Sequence, residues 1–287
     1  MSSFQFRVLP ELIRVRISLS VTLSAFAAAM LASGSISFKS LFPLAGIFLL
    51  ASGASALNQV QEKDQDAKMN RTKNRPLPAG NITTAQALWV VALLMLAGFG
   101  ILISGLYLVC LFLGLLNILW YNGFYTWLKK KTAFAVVPGA LSGVIPVFMG
   151  WSVAGGSLTE RPALLLAIFL FIWQIPHFWL LMLKYGDEYR AAGFPVMTDT
   201  FSIQQFRNII MAWIAGATGT SMILVYSGFW LHFLPALIVL IANLIILILY
   251  FTQLYLAKKT QYRLLFIMMN GFLLLVLSLI ILEKIFL

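Results

Sequence analysis

Acidic and basic side chains lie close together in one short stretch of this mostly apolar chain. Glu62, Asp64 and Asp66 stand between residues 58 and 76 together with five lysines and arginines. The apolar run 42–57 comes directly before them, so the acids are expected at a membrane boundary. Charge is costly there and usually marks a site. This stretch is therefore the first place where the chain could do chemistry.

The spacing of the polar residues predicts that some of them share one face of a helix. If the apolar helix continues inward, Asn58, Glu62 and Asp66 recur at i, i+4 and i+8 and project together, whereas Asp64 points elsewhere. Carboxylates stacked on one face repel each other, so this face needs cations, either lysine and arginine or a divalent metal. Mg²⁺ is typically held by one or two carboxylates, water and substrate phosphate oxygens. We therefore predict that Glu62 and Asp66 are Mg²⁺ ligands.

The bases that follow complete a pattern typical of phosphate binding. Arg71 and Arg75 could bind phosphate oxygens by paired hydrogen bonds, and Lys73 could act as a point charge. Acids and bases together indicate a Mg²⁺–diphosphate site. The alternative interpretation is a basic cytoplasmic connector whose acids are neutralised by neighbouring lysines.

A second acidic cluster favours the functional interpretation. Asp187, Glu188 and Asp199 follow the sixth apolar segment, and the two clusters together hold six of the nine acids. Four predicted helices separate the clusters, and this even number places both on the same side of the membrane. We predict that Asp187 and Glu188 join Glu62 and Asp66 as metal ligands.

The elements that must position these clusters are membrane-spanning helices. Of the 287 residues, 61% are hydrophobic and 10% are charged, and the mean hydropathy is +0.93. Spanning a bilayer takes about 20 apolar residues per helix, and uninterrupted apolar runs do not fit the alternating pattern of β-barrel strands. We predict an all-α polytopic membrane protein, a single domain over 1–287, with nine transmembrane helices in a bundle around an apolar chamber. The predicted segments are 12–33, 42–61, 84–104, 106–127, 134–154, 162–183, 205–227, 231–256 and 264–286.

The basic residues predict the orientation of the bundle. With the N-terminus inside, 17 of the 20 lysines and arginines fall on the inner face, and only Lys39, Arg161 and Lys284 fall outside. Because cytoplasmic loops retain positive charge, we expect a bacterial inner-membrane protein with its N-terminus and both acidic clusters in the cytoplasm. Topology and the anionic headgroups of the lipid bilayer explain the net charge of +11. Nucleic acid is not needed as a partner, and the single Cys110 excludes an intrachain disulfide.

Loop lengths predict an internal repeat. The inner loops after the second and sixth segments are the two long ones, and most other connections are short. A duplicated four-helix unit, made of segments 1–4 and 5–8 with the ninth appended, would explain this arrangement.

Four stretches of the sequence resemble one family of membrane enzymes. They read N-x3-E-x-D-x-D-A-K-M-x-R-T-x-N-R-P-L at 58–77, Y-T-x-L-K-K-K-T at 125–132, G-x2-P-x3-G-W at 143–151, and P-H-F-W at 176–179 leading into E-Y-R-A-A-G-x-P at 188–195. Together they resemble the UbiA-type intramembrane prenyltransferases, and within that family the branch that farnesylates haem B. Glu62 stands where the family usually has aspartate, so it is expected to reach the metal through water or from a different rotamer.

The resemblance implies farnesyl diphosphate and haem B as substrates and Mg²⁺ as the cofactor, with haem B not retained. Mg²⁺ and basic side chains would stabilise the departing diphosphate. The 2-vinyl group of haem B would attack the farnesyl cation in a dry, apolar chamber, and water would complete the new group of haem O. The product could pass to haem A synthase or a terminal oxidase assembly.

The resemblance also implies roles for individual residues. Catalytic roles fall to Asp64, Asp66, Glu188 and Tyr189. The substrate-binding set combines amides, bases, a tyrosine and a histidine: Asn58, Lys68, Arg71, Lys73, Arg75, Asn122, Tyr125, Lys129, Lys130, His177 and Arg190.

Some alternatives stay open at the level of sequence. His177, next to Pro176, either orients or ligates haem iron or hydrogen-bonds backbone groups freed by the proline. A UbiA-type enzyme acting on a quinone precursor or a chlorin would use the same mechanism. The third alternative is a non-enzymatic transporter, although the acidic residues of a transporter would normally lie at the bilayer midplane rather than at the inner boundary.

Overall fold

The computed structural model describes residues 8–35 and 38–286 as helices joined by turns, with no strand in these ranges. A helix satisfies its backbone hydrogen bonds internally, as the lipid interior requires. Within this part of the chain, nine helices are long and apolar enough to cross a membrane. They are α1 (Val15–Ser33), α2 (Phe38–Gln61), α3 (Thr84–Ser104), α4 (Leu108–Leu128), α5 (Ala133–Val153), α6 (Arg161–Ala191), α7 (Ile203–Tyr226), α8 (Phe233–Leu256) and α9 (Tyr262–Ile285).

The nine predicted segments are confirmed, and the largest difference lies at the inner end of α6. The predicted segment ended at residue 183, whereas the helix continues to Ala191. Loss of apolar character marks where a helix leaves the lipid, and polar residues can continue the helix into water. Tyr185 has non-helical dihedral angles (φ −121°, ψ 22°), so the helix bends there. Asp187 and Glu188 therefore lie on a helical extension and not in a loop.

The two halves of the bundle pack in the same order. Contacts join α1 to α2, α2 to α3 and α3 to α4, and the corresponding contacts join α5 through α8. The ninth helix packs on α1, α6 and α8. Where α1 crosses α5, a side chain on Gly150 would overlap the backbone carbonyl of Ala25. The arrangement agrees with a four-helix unit used twice and a ninth helix added.

Large apolar side chains cover the outside of the bundle. Trp89 and Leu96 of α3, Phe112 of α4 and Leu244 of α8 are all well exposed. Such a surface is unfavourable in water and suits contact with lipid chains. The chain is an integral membrane protein.

At the end of the bundle opposite the acidic clusters, a carboxylate of α9 accepts hydrogen bonds from the start of α8. Glu283 of α9 accepts hydrogen bonds from the backbone N–H groups of Leu231 and His232, at 2.6 Å and 3.0 Å. Its Oε1 also lies 3.1 Å from His232 Nδ1. Because His232 is the residue before the first turn of α8, this carboxylate holds the start of that helix.

Candidate active site

The first acidic cluster forms a buried face at the inner end of α2. The helix breaks at Glu62 (φ −116°, ψ 14°), and a short helix, Lys63–Lys68, continues after it. Asn58, Glu62 and Asp66 are nevertheless all buried, with 1%, 6% and 2% of their surface exposed, while Asp64 is exposed. The three residues share one face, as their spacing predicts, and we call them the acidic face.

Two bases neutralise the carboxylates of the acidic face. Lys129, just after α4, forms an ion pair with Glu62. Arg75 donates from Nη1 to both carboxylate oxygens of Asp66, at 2.7 Å each. Burial is the main cause that lowers the pKa of both Lys129 and Arg75, and the nearby carboxylates oppose this shift. The chain therefore supplies the cations that stacked carboxylates require.

A π-helix in α4 brings further polar groups to this face. Residues Leu119–Tyr125 are π-helical, a conformation often found at functional sites. Within it, Asn122 donates to the carbonyl of Ala54 (3.0 Å) and to Gln61 Oε1 (3.2 Å). Asn58 donates to Thr126 Oγ1 at 3.2 Å, which leaves its buried Oδ1 without a partner in the described ranges. An oxygen ligand is thus available beside the two carboxylates.

Two tyrosines form a wall next to Lys129. The rings of Tyr121 and Tyr125 stack with their centroids 5.9 Å apart, and Lys129 Nζ lies 5.1 Å from the Tyr125 ring centre. Gly139 of α5 faces the Tyr125 ring so closely that an added Cβ would overlap it. Backbone approach at Gly139 therefore fixes the position of Tyr125.

The second acidic cluster meets the first through Arg71. The backbone N–H of Arg71 donates to Glu188 Oε2 (3.1 Å), and Nη2 donates to Tyr189 Oη (3.0 Å). The guanidinium carbon also lies 5.5 Å from the Tyr185 ring centre and 5.6 Å from that of Tyr189. A buried apolar contact between Met69 and residues 192–194 supports the junction. The two acidic segments therefore converge, as expected from the sequence.

Gly193 allows the chain to turn back at this junction. Its φ of +87° lies in the left-handed region, which strains any residue with a side chain. The turn lets the Phe194 N–H bond to the Tyr189 carbonyl (2.9 Å). The Phe194 ring then packs edge-on against Tyr189, with centroids 6.0 Å apart.

Asp187 and Arg190 occupy a different side of the α6 extension. Asp187 is fully exposed and pairs with Arg190 at 2.9 Å, and Arg190 also pairs with Asp199 at 2.7 Å. The hydrogen bond from Arg190 lowers the pKa of Asp199. Successive helix residues point about 100° apart, which explains why Asp187 does not accompany Glu188 toward the junction.

The remaining predicted bases and Asp64 lie at the rim of the site. Lys68, Lys73 and Lys130 are exposed, and Lys73 donates to Asn70 Oδ1 at 2.9 Å. Among the residues that the structure describes, Asp64 and these lysines form no ion pair. They add charge around the mouth without an ion-pair partner in the described ranges.

His177 lies deeper in α6, among aromatic rings. Its ring centroid is 4.9 Å from that of Trp173, 5.2 Å from Phe178 and 4.6 Å from Phe266 of α9. Its Nδ1 is buried and has no hydrogen-bond partner within 8–35 and 38–286. His177 Nδ1 therefore does not make the hydrogen bond to backbone groups freed by Pro176 that the alternative interpretation expects.

The sequence indicates only a role in membrane topology for Arg14, but in the structure Arg14 lies at the site. Gln59 donates to the carbonyls of Glu11 (2.8 Å) and Leu12 (2.9 Å), which fixes the segment before α1 against α2. Arg14 has left-handed backbone angles (φ 47°, ψ 56°) and a buried Nε without a partner in the described chain. After burial, its charge is the next largest cause of the lowered Arg75 pKa. No sequence signal predicts this conformation.

The donors of the acidic face fit Mg²⁺ bound together with a diphosphate. Within the described ranges, no three His, Cys, Asp or Glu side chains lie together as a closed metal site. The free amide oxygen of Asn58 and the carboxylates of Glu62 and Asp66 are hard oxygen donors, which Mg²⁺ prefers. A partial set is what this metal uses when phosphate oxygens complete its shell.

Comparison with known proteins places this arrangement in a family. The sequence profile of the UbiA prenyltransferase family matches residues 19–277. Proteins named protoheme IX farnesyltransferase are similar to this chain. The one from Geobacter sulfurreducens is 43% identical over 155 residues, which cover 54% of this chain and 57% of that protein. The one from Legionella pneumophila is 33% identical over 233 residues, 79% of each chain.

Solved structures share the fold at low sequence identity. A digeranylgeranylglyceryl phosphate synthase matches with a TM-score of 0.77 at 16% identity, over 98% of this chain and 99% of the other. A UbiA homologue from Archaeoglobus fulgidus, solved with GPP and Mg²⁺, matches with a TM-score of 0.69 at 12% identity, over 95% and 99% of the two chains.

Proposed function

The chain belongs to the UbiA prenyltransferase family, and on this premise we propose that it transfers a farnesyl group from farnesyl diphosphate to haem B, giving haem O. The names of relatives that are 33–43% identical support this acceptor. The observation that carries the proposal is the meeting of the two acidic segments at Arg71 and Glu188. That junction brings a base that follows α2 and a carboxylate of the α6 extension together at one mouth.

Diphosphate is bound by the bases around the acidic face. Arg71 is exposed and already oriented by Glu188 and Tyr189, so its guanidinium is available to phosphate oxygens. Arg75 and Lys129 lie next to the carboxylates, while Lys68, Lys73 and Lys130 raise the positive potential at the rim. Asn58, Glu62, Asp66 and Glu188 would hold Mg²⁺, which when bound stabilises negative charge on the departing diphosphate. Asp187 and Arg190 order the α6 extension.

The farnesyl chain enters a narrow apolar cleft between α1, α2, α4 and α5. Ile47, Leu50, Ala54 and Gly114 line this cleft, whose volume is about 20 Å³. This space holds about one water molecule, so the prenyl chain must displace side chains as it binds. The cleft begins at Ala54, whose carbonyl accepts the hydrogen bond from Asn122. A narrow cleft that excludes bulk water protects an allylic cation from premature hydrolysis.

The reaction joins the vinyl group to the prenyl chain. The bond between farnesyl C1 and the diphosphate oxygen breaks, and the terminal vinyl carbon of haem B forms a bond to C1. Water adds to the vinyl carbon next to the pyrrole and loses a proton. The stacked rings of Tyr121 and Tyr125 present π-electrons that stabilise the positive charge. His177, in its aromatic surroundings, contacts the porphyrin and orients it.

Orientation follows from the bases on the inner face. The acidic face and the α6 extension lie at the basic end of the bundle, and from the positive-inside rule we propose that this end faces the cytoplasm and that the membrane is a bacterial inner membrane. Haem O leaves laterally through lipid to the enzyme or oxidase that uses it.

Product analysis tests the proposed function. Purified protein is incubated with Mg²⁺, farnesyl diphosphate and either haem B or 4-hydroxybenzoate, and product masses are measured. We expect farnesylation and hydration of haem B only. Prenylated 4-hydroxybenzoate with unchanged haem B would assign a different acceptor, and no product from either would contradict the proposed transfer.

A further inference from the structure

A cavity outside the acidic face lies between the inner ends of α6 and α9. It is widely open to the surface, and its volume is about 610 Å³; small-molecule sites typically have volumes of about 300–1,000 Å³. Lys184 of α6 lines one side, and residues 259–264 and Ile267 line the other. We call it the α6–α9 cavity.

The lining of the α6–α9 cavity combines unpaired positive charge with apolar surface. Lys184, Lys259 and Arg263 are exposed, and none of them pairs with a carboxylate in the described part of the chain. Leu264 and Ile267 supply apolar surface, and no acidic residue lines the cavity. The complementary ligand is an apolar molecule that carries more than one negative charge.

An imidazole lies along the same interface, deeper in the membrane. His177 precedes Lys184 by seven residues, so both side chains lie on one face of α6, about 10 Å apart along the axis. The His177 ring packs on Phe266, which stands between the lining residues Leu264 and Ile267. Its Nδ1 is buried without a hydrogen-bond partner among the described residues.

Tyr185 connects the cavity to the diphosphate-binding junction. Lys184 Nζ lies 4.8 Å from the Tyr185 ring centre, and the Arg71 guanidinium carbon lies 5.5 Å from the same centre. The α6 bend occurs at this residue. Lys184, which lines the α6–α9 cavity, and Arg71, at the junction, therefore contact the same aromatic ring.

We propose that the α6–α9 cavity binds the porphyrin substrate through its two propionate groups, which pair with Lys184, Lys259 and Arg263. The proposal rests on the proposed function and names where its acceptor binds. In haem B the vinyl groups are on the pyrrole rings opposite those that carry propionates. Anchoring the propionates at the cytoplasmic rim directs the vinyl edge inward, toward the prenyl group.

Haem titration tests the assignment. Full-length protein in phosphatidylcholine nanodiscs is titrated with haem B, and binding is followed by the Soret band. Lys259→Glu/Arg263→Glu should weaken haem binding roughly tenfold or more, because charge-assisted contacts are lost. Lys258→Glu is the matched control, since Lys258 is exposed but does not line the cavity, and its affinity should not change. Haem dimethyl ester, which lacks the carboxylates, should bind wild type and the double variant equally.

Two results would overturn the assignment. One is equal haem affinity of wild type and the double variant. The other is a difference seen only when phosphatidylglycerol is present, which would identify an anionic lipid site. Unchanged farnesyl diphosphate binding shows that the double variant is folded, and Arg263→Gln replaces it if charge reversal prevents folding. Haem O formation by the wild type, measured on the same sample, separates the two proposals. If haem O forms but the double variant binds haem as well as the wild type, only the cavity assignment is contradicted. If the double variant binds haem more weakly but the wild type forms no haem O, only the proposed transfer is contradicted.

Discussion

The main-chain N–H of Arg71 donates to Oε2 of Glu188 at 3.1 Å, across a sequence separation of 117 residues. The first residue follows α2 and the second lies on the extension of α6, so the bond joins the inner ends of the two halves. Because a backbone group makes this bond, the Arg71 guanidinium, whose Nη2 donates to Tyr189 Oη, keeps further N–H donors for an anion. The contact thus orders the base that we propose to bind diphosphate, and it does so with a carboxylate from the other half.

Removing the Arg71 side chain should weaken substrate binding. Arg71→Ala should raise the apparent KM for farnesyl diphosphate about tenfold, because a hydrogen bond to a charged group contributes roughly 1.5–3 kcal/mol. The backbone bond to Glu188 survives in this variant, so kcat should change less. Steady-state kinetics with Arg16→Ala, an exposed base outside the site, provides the control. An unchanged KM for Arg71→Ala would remove this base from phosphate binding.

Replacing Asp66 should stop the reaction and lower stability. Asp66→Asn should reduce transfer at least about 100-fold, because it removes a carboxylate ligand from the Mg²⁺ that would stabilise charge on the leaving group. It also leaves Arg75 without its partner, and breaking a buried pair costs roughly 3–5 kcal/mol. Thermal unfolding and product formation measure the two effects.

A double variant separates pairing from catalysis at Asp66. Asp66→Asn/Arg75→Gln removes both charges, so it should regain much of the stability without regaining transfer. If transfer returned together with stability, Asp66 would serve only to neutralise Arg75.

Neighbouring acids on the α6 extension should behave differently. Glu188→Gln should lose Mg²⁺-dependent transfer, because Glu188 faces the Arg71 junction. Asp187→Asn should retain most of it, because Asp187 is fully exposed and pairs with Arg190. Rates measured over a range of Mg²⁺ concentrations compare the two variants. A larger loss of Mg²⁺-dependent transfer in Asp187→Asn than in Glu188→Gln would reverse this assignment.

The carboxylate at the outer end should matter for stability alone. Glu283→Ala removes the carboxylate that accepts from two backbone N–H groups at the start of α8, and each hydrogen bond to a charged group contributes roughly 1.5–3 kcal/mol. We expect a lower unfolding temperature and an unchanged kcat for the folded fraction. Glu11→Ala, which removes an exposed carboxylate, is the comparison. An equal fall in the unfolding temperature of both variants would show that the hydrogen bonds accepted by Glu283 do not stabilise the fold.

Hydropathy and spacing predicted much of this molecule. The nine helices follow from apolar length, because lipid requires each span to satisfy its own backbone. The buried face of Asn58, Glu62 and Asp66 follows from helical periodicity and survives the break at Glu62. Both depend on local sequence, which is why they could be predicted.

Features set by long-range packing could not be predicted in the same way. The pairing of Lys129 with Glu62 depends on how α4 lies beside α2. The π-helical turn that aims Asn122 at Ala54 changes backbone register without a sequence marker. Arg14 takes left-handed backbone angles where Gln59 holds the preceding segment. In each case the partner is distant in the chain.

Binding of a non-reactive substrate analogue tests the central claim most directly. Farnesyl thiolodiphosphate is titrated into wild type, Asp66→Asn and Glu188→Gln, each with and without Mg²⁺. We expect Mg²⁺ to tighten binding of the analogue to wild type. In both variants this tightening should be lost, since Asp66 and Glu188 supply one carboxylate from each acidic segment. An undiminished Mg²⁺ effect in Asp66→Asn and Glu188→Gln would contradict a shared site at the junction.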